Sequence, residues 1–276
     1  MAAYRTRALA PLTLLLLLTG SAGAQDHDFD RFSITGGAYD IFRYDSTMAL
    51  TDTNSGIGIS FTPEDSLGWK SEQTAFRLDA SYRFSEKHGL TASWYEITTN
   101  GNRGLIKDID WVDINGDPAI LPVGAAVRSG LKMEIFKIGY FWSFYHSDKV
   151  ELSAGAGLHV ARIGVDMEAE ITTTGVEAAD ADTTVPLPVV GFRLNYDVTP
   201  KLSWYLQGQL FSIELDDWDG TYSDLQFGAL YRAFEHVGFG IGIGGNGLDV
   251  TEETKHHRFE FQNRMTGLHA FVSAYF

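Results

Sequence analysis

The chain has 276 residues, a formal net charge of −15 and no cysteine. The absence of cysteine excludes disulfide frameworks, thiol chemistry and cysteine-based metal sites. The acidic balance, without a cluster of lysine or arginine, excludes nucleic acid as an expected partner. A mean hydropathy near zero is compatible with strands that alternate apolar and polar side chains, because the two contributions cancel.

The first residues have the features of a secretory signal peptide. Arg5 and Arg7 form a positive segment, residues 8–18 form an apolar run, and Ala22 and Ala24 supply small residues before a cleavage site at Gln25. The apolar run is too short to span a bilayer comfortably, and an uncleaved N-terminal anchor is the alternative. We therefore expect a signal peptide at 1–24 and an exported domain at 25–276.

The remaining chain has no apolar run of the ~18 residues that a membrane helix needs. It alternates instead with a period of two, as in residues 76–84, where five apolar or aromatic side chains alternate with Arg77, Asp79, Ser81 and Arg83. The same alternation recurs at 150–160, 190–198, 202–207 and 225–232. Since only a closed barrel satisfies every backbone group of strands in lipid, the pattern predicts an all-β, antiparallel, up-and-down transmembrane β-barrel.

The connections between these runs alternate in length. Short polar turns are predicted at 85–88, 146–148, 199–200 and 235–236, and long acidic stretches at 45–71, 101–122, 172–186, 216–220 and 251–256. In outer-membrane barrels the short turns are periplasmic and the long loops are extracellular. Ten strands are predicted, at approximately 31–44, 72–84, 88–99, 123–145, 148–170, 186–198, 201–214, 221–234, 237–250 and 257–276. A further hairpin within 45–71 would give twelve strands if it entered the membrane, and one hairpin outside the membrane would give eight.

Aromatic residues flank both kinds of connection, which predicts two interfacial girdles. Those near the short turns are Phe84, Trp142, Phe144, Tyr145, Tyr196 and Phe234, and those near the long stretches are Trp69, Trp94, Trp111 and Trp218.

The last strand carries a resemblance to a known class of protein. Its apolar face consists of Leu268, Ala270, Val272, Ala274 and Phe276, and the chain ends in Tyr275 and Phe276. A terminal phenylalanine on an amphipathic strand resembles the assembly signal of Gram-negative outer-membrane β-barrels, such as small porin-like and outer-membrane protein A-type barrels. The resemblance implies a cell outer membrane location, recognition by the barrel-assembly machinery, and contact with outer-membrane lipid and lipopolysaccharide. It matches no functionally defined subfamily.

If the apolar set faces lipid, the polar set lines the lumen. The lumen-lining candidates are Arg77, Asp79, Arg83, Lys137, Glu151, His159, Arg193, Asp197, Gln207, Gln226, Arg232 and His269. Charges enclosed there must be paired, so the lumen is either filled by ion pairs or a thin aqueous pore for ions or small solutes. The expected function is therefore structural or weakly pore-forming, with no catalytic residue, cofactor or metal.

Two local patterns have simpler explanations than ligand binding. The glycine-rich run at 238–245 lacks the helix of a nucleotide-binding loop, and its inward-facing glycines allow a side chain or strand to approach closely. Asp110, Asp113, Asn115 and Asp117 surround Gly116 but depart from the order of an EF-hand. They form a solvated acidic loop or hold divalent cations near lipopolysaccharide.

Three alternatives to a non-enzymatic membrane barrel stay open. A surface hydrolase resembling the omptins would use His256 or His257 with Asp216, Asp217 or Asp219. A barrel for adhesion or ligand binding would act through its loops. A soluble lipocalin-like periplasmic carrier would bury the apolar face, and the charged opposite face and Phe276 argue against it.

Overall fold

The computed structural model describes residues 30–53, 58–104, 109–112, 118–121, 123, 126–171, 175–215, 218–255 and 257–276. Its elements in chain order are β1 (Phe32–Asp52), β2 (Gly58–Phe61), α1 (Pro63–Ser66), β3 (Gln73–Ser85), β4 (His88–Gly104), β5 (Ile109–Val112), β6 (Pro118–Leu121), β7 (Ala126–His146), β8 (Val150–Ile171), β9 (Gly175–Thr199), β10 (Leu202–Leu215), β11 (Trp218–Phe234), β12 (Val237–Glu253) and β13 (His257–Tyr275). Among these residues no helix has the length and apolar character needed to cross a membrane.

The described long strands form one closed antiparallel barrel. Each of β1, β3, β4 and β7 to β13 pairs with the next one along the chain, and β13 pairs back onto β1 from Ser33↔Tyr275 to Asp52↔His257. The closure gives ten strands and confirms the predicted up-and-down barrel. Because the ring is closed, the main sheet leaves no unpaired edge along β1 and β13.

The connections at one end of the barrel, here called the turn end, are all two or three residues long, and the two longest connections, after β1 and β4, lie at the other end, the loop end. The predictions of long stretches at 216–220 and 251–256 are wrong, because only two and three residues separate the strands there. Two-residue turns follow β3, β9 and β11, and residues 147–149 follow β7, as predicted. At the loop end β2 pairs with the last part of β1, and β5 pairs with β6 in a small separate hairpin. The segment at 45–71 therefore extends the loop end and adds no further pair of barrel strands.

The strands continue further towards the loop end than the sequence pattern predicts. The prediction of an irregular loop at 172–186 is wrong, because β9 begins at Gly175 and pairs with β8 up to Ile171↔Gly175. Likewise β4 reaches Gly104, β11 begins at Trp218 and β12 reaches Glu253. The sequence there has small or polar residues at consecutive positions, so the period-two signal disappears although the backbone ladder goes on.

The outward face carries a belt of large apolar side chains next to the turn end. Exposed members include Phe76, Phe136, Ile138, Phe192, Trp204, Phe227, Ile241, Leu268 and Val272. Contiguous apolar surface of this extent is incompatible with water and suits a lipid environment. Along β7 the outward face changes from Phe136 to Glu134, Lys132 and Arg128 towards the loop end. With 21 residues, β7 is about twice as long as the 9–11 residues that a tilted strand needs to cross a bilayer.

Glycines admit close contact at the seam where the barrel closes. A Cβ added at Gly37 on β1 would lie 2.5 Å from the backbone oxygen of Ala270 and 2.6 Å from Phe271 Cβ, both on β13. The glycines of β12 also leave room for a side chain of β13, since a Cβ at Gly240 would lie 2.0 Å from Phe271 Cζ. The inward glycines thus make room for interior aromatic rings.

We expect Gly37→Ala to lower the free energy of unfolding by about 1–3 kcal/mol, because the added methyl group must push the β13 backbone away. The measurement is urea unfolding of the folded protein in lipid vesicles, followed by tryptophan fluorescence. The neighbouring Gly36→Ala is the matched control, since its Cβ would meet only Phe76 Cζ at 3.8 Å. Equal effects of the two substitutions would contradict the close contact at the seam.

Candidate functional site: the lumen

One ion pair crosses the lumen near the turn end. Arg83 on β3 holds both carboxylate oxygens of Glu151 on β8, at 2.6 and 2.8 Å, and Asn195 Nδ2 donates to Glu151 at 3.3 Å. The Phe141 ring lies beneath two guanidinium groups, with its centroid 5.1 Å from Arg83 Cζ and 5.6 Å from Arg193 Cζ. Because β3 and β8 are not neighbours in the sheet, the Arg83–Glu151 pair spans the interior.

A second set of charges fills the middle of the barrel. Lys137 on β7 forms an ion pair with Asp224 on β11 at 3.1 Å, and both side chains are less than a tenth exposed. Asp224 also accepts hydrogen bonds from Tyr222 Oη at 3.1 Å and Gln226 Nε2 at 3.2 Å. This carboxylate is therefore saturated by donors, as an enclosed charge requires.

Neighbouring groups complete this central layer. Arg77 donates to Asp79 at 2.8–3.0 Å, and Ser93 Oγ donates to the same carboxylate at 2.5 Å. His159 packs edge-on against Tyr222 with ring centroids 5.3 Å apart. The polar face of the strands is thus turned inwards and largely satisfied by itself.

Towards the loop end the interior becomes apolar. The buried cluster consists of Ile41, Tyr44, Leu67, Trp69, Ala75, Tyr95, Ile97, Val127, Leu131, Met133, Ile135, Ala161 and Met265. Two of its members, Leu67 and Trp69, come from the connection after β2 and not from the barrel wall. Residues 63–70, here called the plug, therefore fold into the mouth of the barrel.

Specific hydrogen bonds fix the plug to the wall. Trp69 Nε1 donates to Ser129 Oγ at 2.9 Å, and the backbone N–H of Lys70 donates to Thr99 Oγ1 at 3.1 Å. The wall has a glycine where the plug touches it, since a Cβ at Gly101 would lie 2.1 Å from the carbonyl oxygen of Leu67. The prediction that Trp69 belongs to an outer aromatic girdle is therefore wrong, because its indole is buried inside the barrel.

One carboxyl group is buried with the plug. Glu64 Oε1 accepts a hydrogen bond from Ser46 Oγ at 2.7 Å, whereas its Oε2 is buried without a partner among the described residues. Burial raises the pKa of Glu64 above its ordinary value, and the hydrogen bond from Ser46 offsets this only in part. The protonated form therefore fits the docked plug better than the ionised form.

The remaining lumen candidates lie nearer the turn end or the wall. Arg232 pairs with Asp30 at 2.7 Å and lies over the Tyr275 ring at 4.5 Å, and Asp197 is exposed at the end of β9. Gln207 Nε2 donates to Gln226 at 2.9 Å, and His269 packs against Phe271. The structure thus brings Arg77, Asp79, Arg83, Lys137, Glu151, His159, Arg193 and Gln226 into the interior and leaves Asp197 at its rim.

Asp224 and the plug are missing from the residues proposed on the sequence. Asp224 has the same parity as Gln226 on β11, so the period-two pattern could have identified it. The plug has no such signal, since residues 63–70 lie outside the alternating runs.

Only some of the residues proposed for the acidic loop and for a surface hydrolase lie within the described part of the chain. Asp113, Asn115, Gly116, Asp117, Asp216, Asp217 and His256 lie outside the described residues, Asp110 lies on β5, His257 begins β13, and Asp219 is exposed on β11. Within the described ranges no group of three histidine, cysteine or acidic residues could hold a metal ion. The proposed assembly signal lies on the outer face of β13, where Leu268, Val272 and Phe276 are exposed.

Comparison with solved structures shows which class of fold this is. The outer-membrane protease OmpT from Escherichia coli superposes with a TM-score of 0.55 at 9% sequence identity, covering 88% of this chain and 97% of OmpT. The translocator domain of the autotransporter NalP from Neisseria meningitidis gives a TM-score of 0.43 at 9% identity, with 86% of each chain covered. No protein-family model and no curated protein matches the chain. The fold is that of the outer-membrane β-barrels, as the alternating strands and the last strand predict.

We expect Lys137→Met to destabilise the barrel by about 3–5 kcal/mol, because Asp224 then keeps a charge without its cation. The double variant Lys137→Met/Asp224→Leu removes both charges and should regain most of this loss. The free energy of unfolding in urea measures both effects. Lys132→Met, which removes an exposed pair with Glu96, is the control and should cost less than about 1 kcal/mol. A double variant as unstable as the single one would contradict the assigned pair.

We expect the plug to dock more tightly at low pH. The raised pKa of Glu64 means that its protonated form stabilises docking, so this stabilisation is complete below the ordinary carboxyl pKa and is lost as pH rises through the raised value. Acrylamide quenching of a variant that retains only Trp69 should therefore increase with pH. In Glu64→Gln the quenching should not change across the same interval, and an unchanged pH dependence would contradict this role of Glu64.

Proposed function

We propose that the chain is an integral protein of the Gram-negative outer membrane with a closed lumen and a structural, non-enzymatic role. The proposal rests on the observation that side chains fill the lumen at two levels. Ion pairs occupy the middle and the turn end, and the plug closes the mouth at the loop end. A structural role therefore has more support than passage of ions or small solutes.

The apolar belt supports the membrane location. Large side chains such as Phe136, Phe192 and Phe227 cover the outward face, while the charged side chains of the same strands face inwards or lie above the belt. In this orientation the turn end is periplasmic and the loop end extracellular. The signal peptide at 1–24 and the apolar face of β13 would provide export and recognition by the barrel-assembly machinery, and the belt would contact lipid and lipopolysaccharide.

The ion pairs that cross the lumen argue against an open pore. Arg83–Glu151 and Lys137–Asp224 each join strands that are separated in the barrel wall. An ion that passed through would have to part these pairs, and each parting leaves an enclosed charge without its partner. Two of the interior cavities measure about 10 and 60 Å³, which is room for about one and for a few water molecules.

We expect no discrete conductance steps from the folded protein in a planar lipid bilayer, because both closures must open before ions pass. Folding is verified beforehand by heat-dependent migration in gel electrophoresis, and an open porin reconstituted in parallel shows that insertion works. Reproducible steps whose ion selectivity changes in Arg83→Gln would contradict the closed lumen and favour the weak pore.

The non-enzymatic part of the proposal has its own test. The folded protein should release no product from a mixture of fluorogenic peptides and ester substrates. Hydrolysis that is abolished by His256→Ala/His257→Ala would contradict this part and favour a surface hydrolase at the loop end.

A further inference from the structure

Arg193 on β9 has no counter-charge of its own inside the barrel. The other enclosed charges of the described lumen are paired, as Arg77 with Asp79, Arg83 with Glu151 and Lys137 with Asp224. Within the described part of the chain, the Arg193 guanidinium makes no hydrogen bond and no ion pair, and its assigned contact is the Phe141 ring at 5.6 Å. The lumen therefore carries one excess positive charge at this position.

The nearest negative group does not neutralise this excess. Glu151 lies close enough to Arg193 to interact electrostatically. However, both oxygens of Glu151 are held by Arg83, and one also accepts from Asn195. A cation–π contact contributes less than the cost of enclosing a guanidinium without hydrogen bonds. The site is thus incomplete without a further acceptor.

One cavity in the lumen lies beside Arg193. Arg193 lines the cavity of about 60 Å³. The wall around the cavity includes the glycines Gly139, Gly155, Gly157 and Gly191, which contribute no side chains to fill it.

Hydrogen-bond donors lie at the same level as Arg193. The strand register places Ser153 on β8 directly opposite Arg193, and Gln207 on β10 opposite it on the other side. All three residues line the cavity, and Ser153 Oγ is buried without a hydrogen-bond partner among the described residues. The Gln207 amide donates one N–H to Gln226 and keeps a second. The guanidinium, the hydroxyl and this second N–H form a donor set for a small anion.

We propose that this cavity binds a small monovalent anion of halide size, which serves as the counter-ion of Arg193. Asp224 also lines the cavity, and its negative charge disfavours a second charge on the ligand. The carboxylate of Asp224 is already occupied by Lys137, Tyr222 and Gln226, so it leaves Arg193 available. The anion completes the charge balance of a closed lumen, and its binding does not depend on the proposed structural role.

Bromide provides a direct test, because its anomalous scattering locates it in crystals of the folded protein grown in bromide. The expected result is an anomalous peak in contact with the Arg193 guanidinium. Peaks confined to the outer surface, or no peak in the cavity, would overturn the proposal.

Stability in solution gives an independent readout. At constant ionic strength, replacing gluconate by chloride or bromide should raise the urea midpoint of the wild-type protein, because a ligand that binds the folded state stabilises it. Arg193→Met should lose this halide-dependent shift. Arg162→Met, which removes an exposed guanidinium on the outer face, should retain it. Arg193→Lys keeps the charge and should keep a shift if the methionine variant does not fold. A shift of the same size in Arg193→Met would overturn the proposal.

Discussion

The hydrogen-bonded seam between β1 and β13 is the contact on which the rest of the molecule depends. In lipid an unpaired backbone N–H or C=O costs several kcal/mol, so a membrane sheet must close on itself. Once it is closed, the period-two alternation has one stable arrangement, with Phe76, Phe136 and Phe227 outwards and the polar side chains inwards. The close approach at Gly37 shows how tightly this seam is packed.

Closure of the barrel also encloses charged side chains in the lumen. Charges that would be solvated on a flat sheet are brought face to face across a narrow interior, where each requires a partner. Arg83 with Glu151 and Lys137 with Asp224 meet this requirement by joining strands that are distant in the wall. These pairs therefore occupy part of the interior, so the contacts that neutralise its charges also fill it.

The sequence predicts the wall of this barrel better than its interior. Alternation and turn residues identify all ten strands, because a strand at the lipid boundary must repeat every two residues. The pattern ends where both faces carry small or polar residues, so it predicts the start of this strand at 186 although β9 begins at Gly175. The partners of Lys137 and Arg193 depend on which strands face each other after closure, and a local pattern carries no information about that. The sequence predicts an outer position for Trp69 because this residue lies near a long connection, and local alternation does not show that the connection folds into the mouth of the barrel.

The plug also constrains the order in which the molecule assembles. Trp69 precedes most of the barrel strands in the chain, yet its indole bonds to Ser129 on β7 and belongs to a cluster that includes Met265 on β13. This cluster does not exist until the last strand has met the first. The complete packing around the plug therefore requires the closed ring of strands, because β1, β7 and β13 all contribute side chains to it.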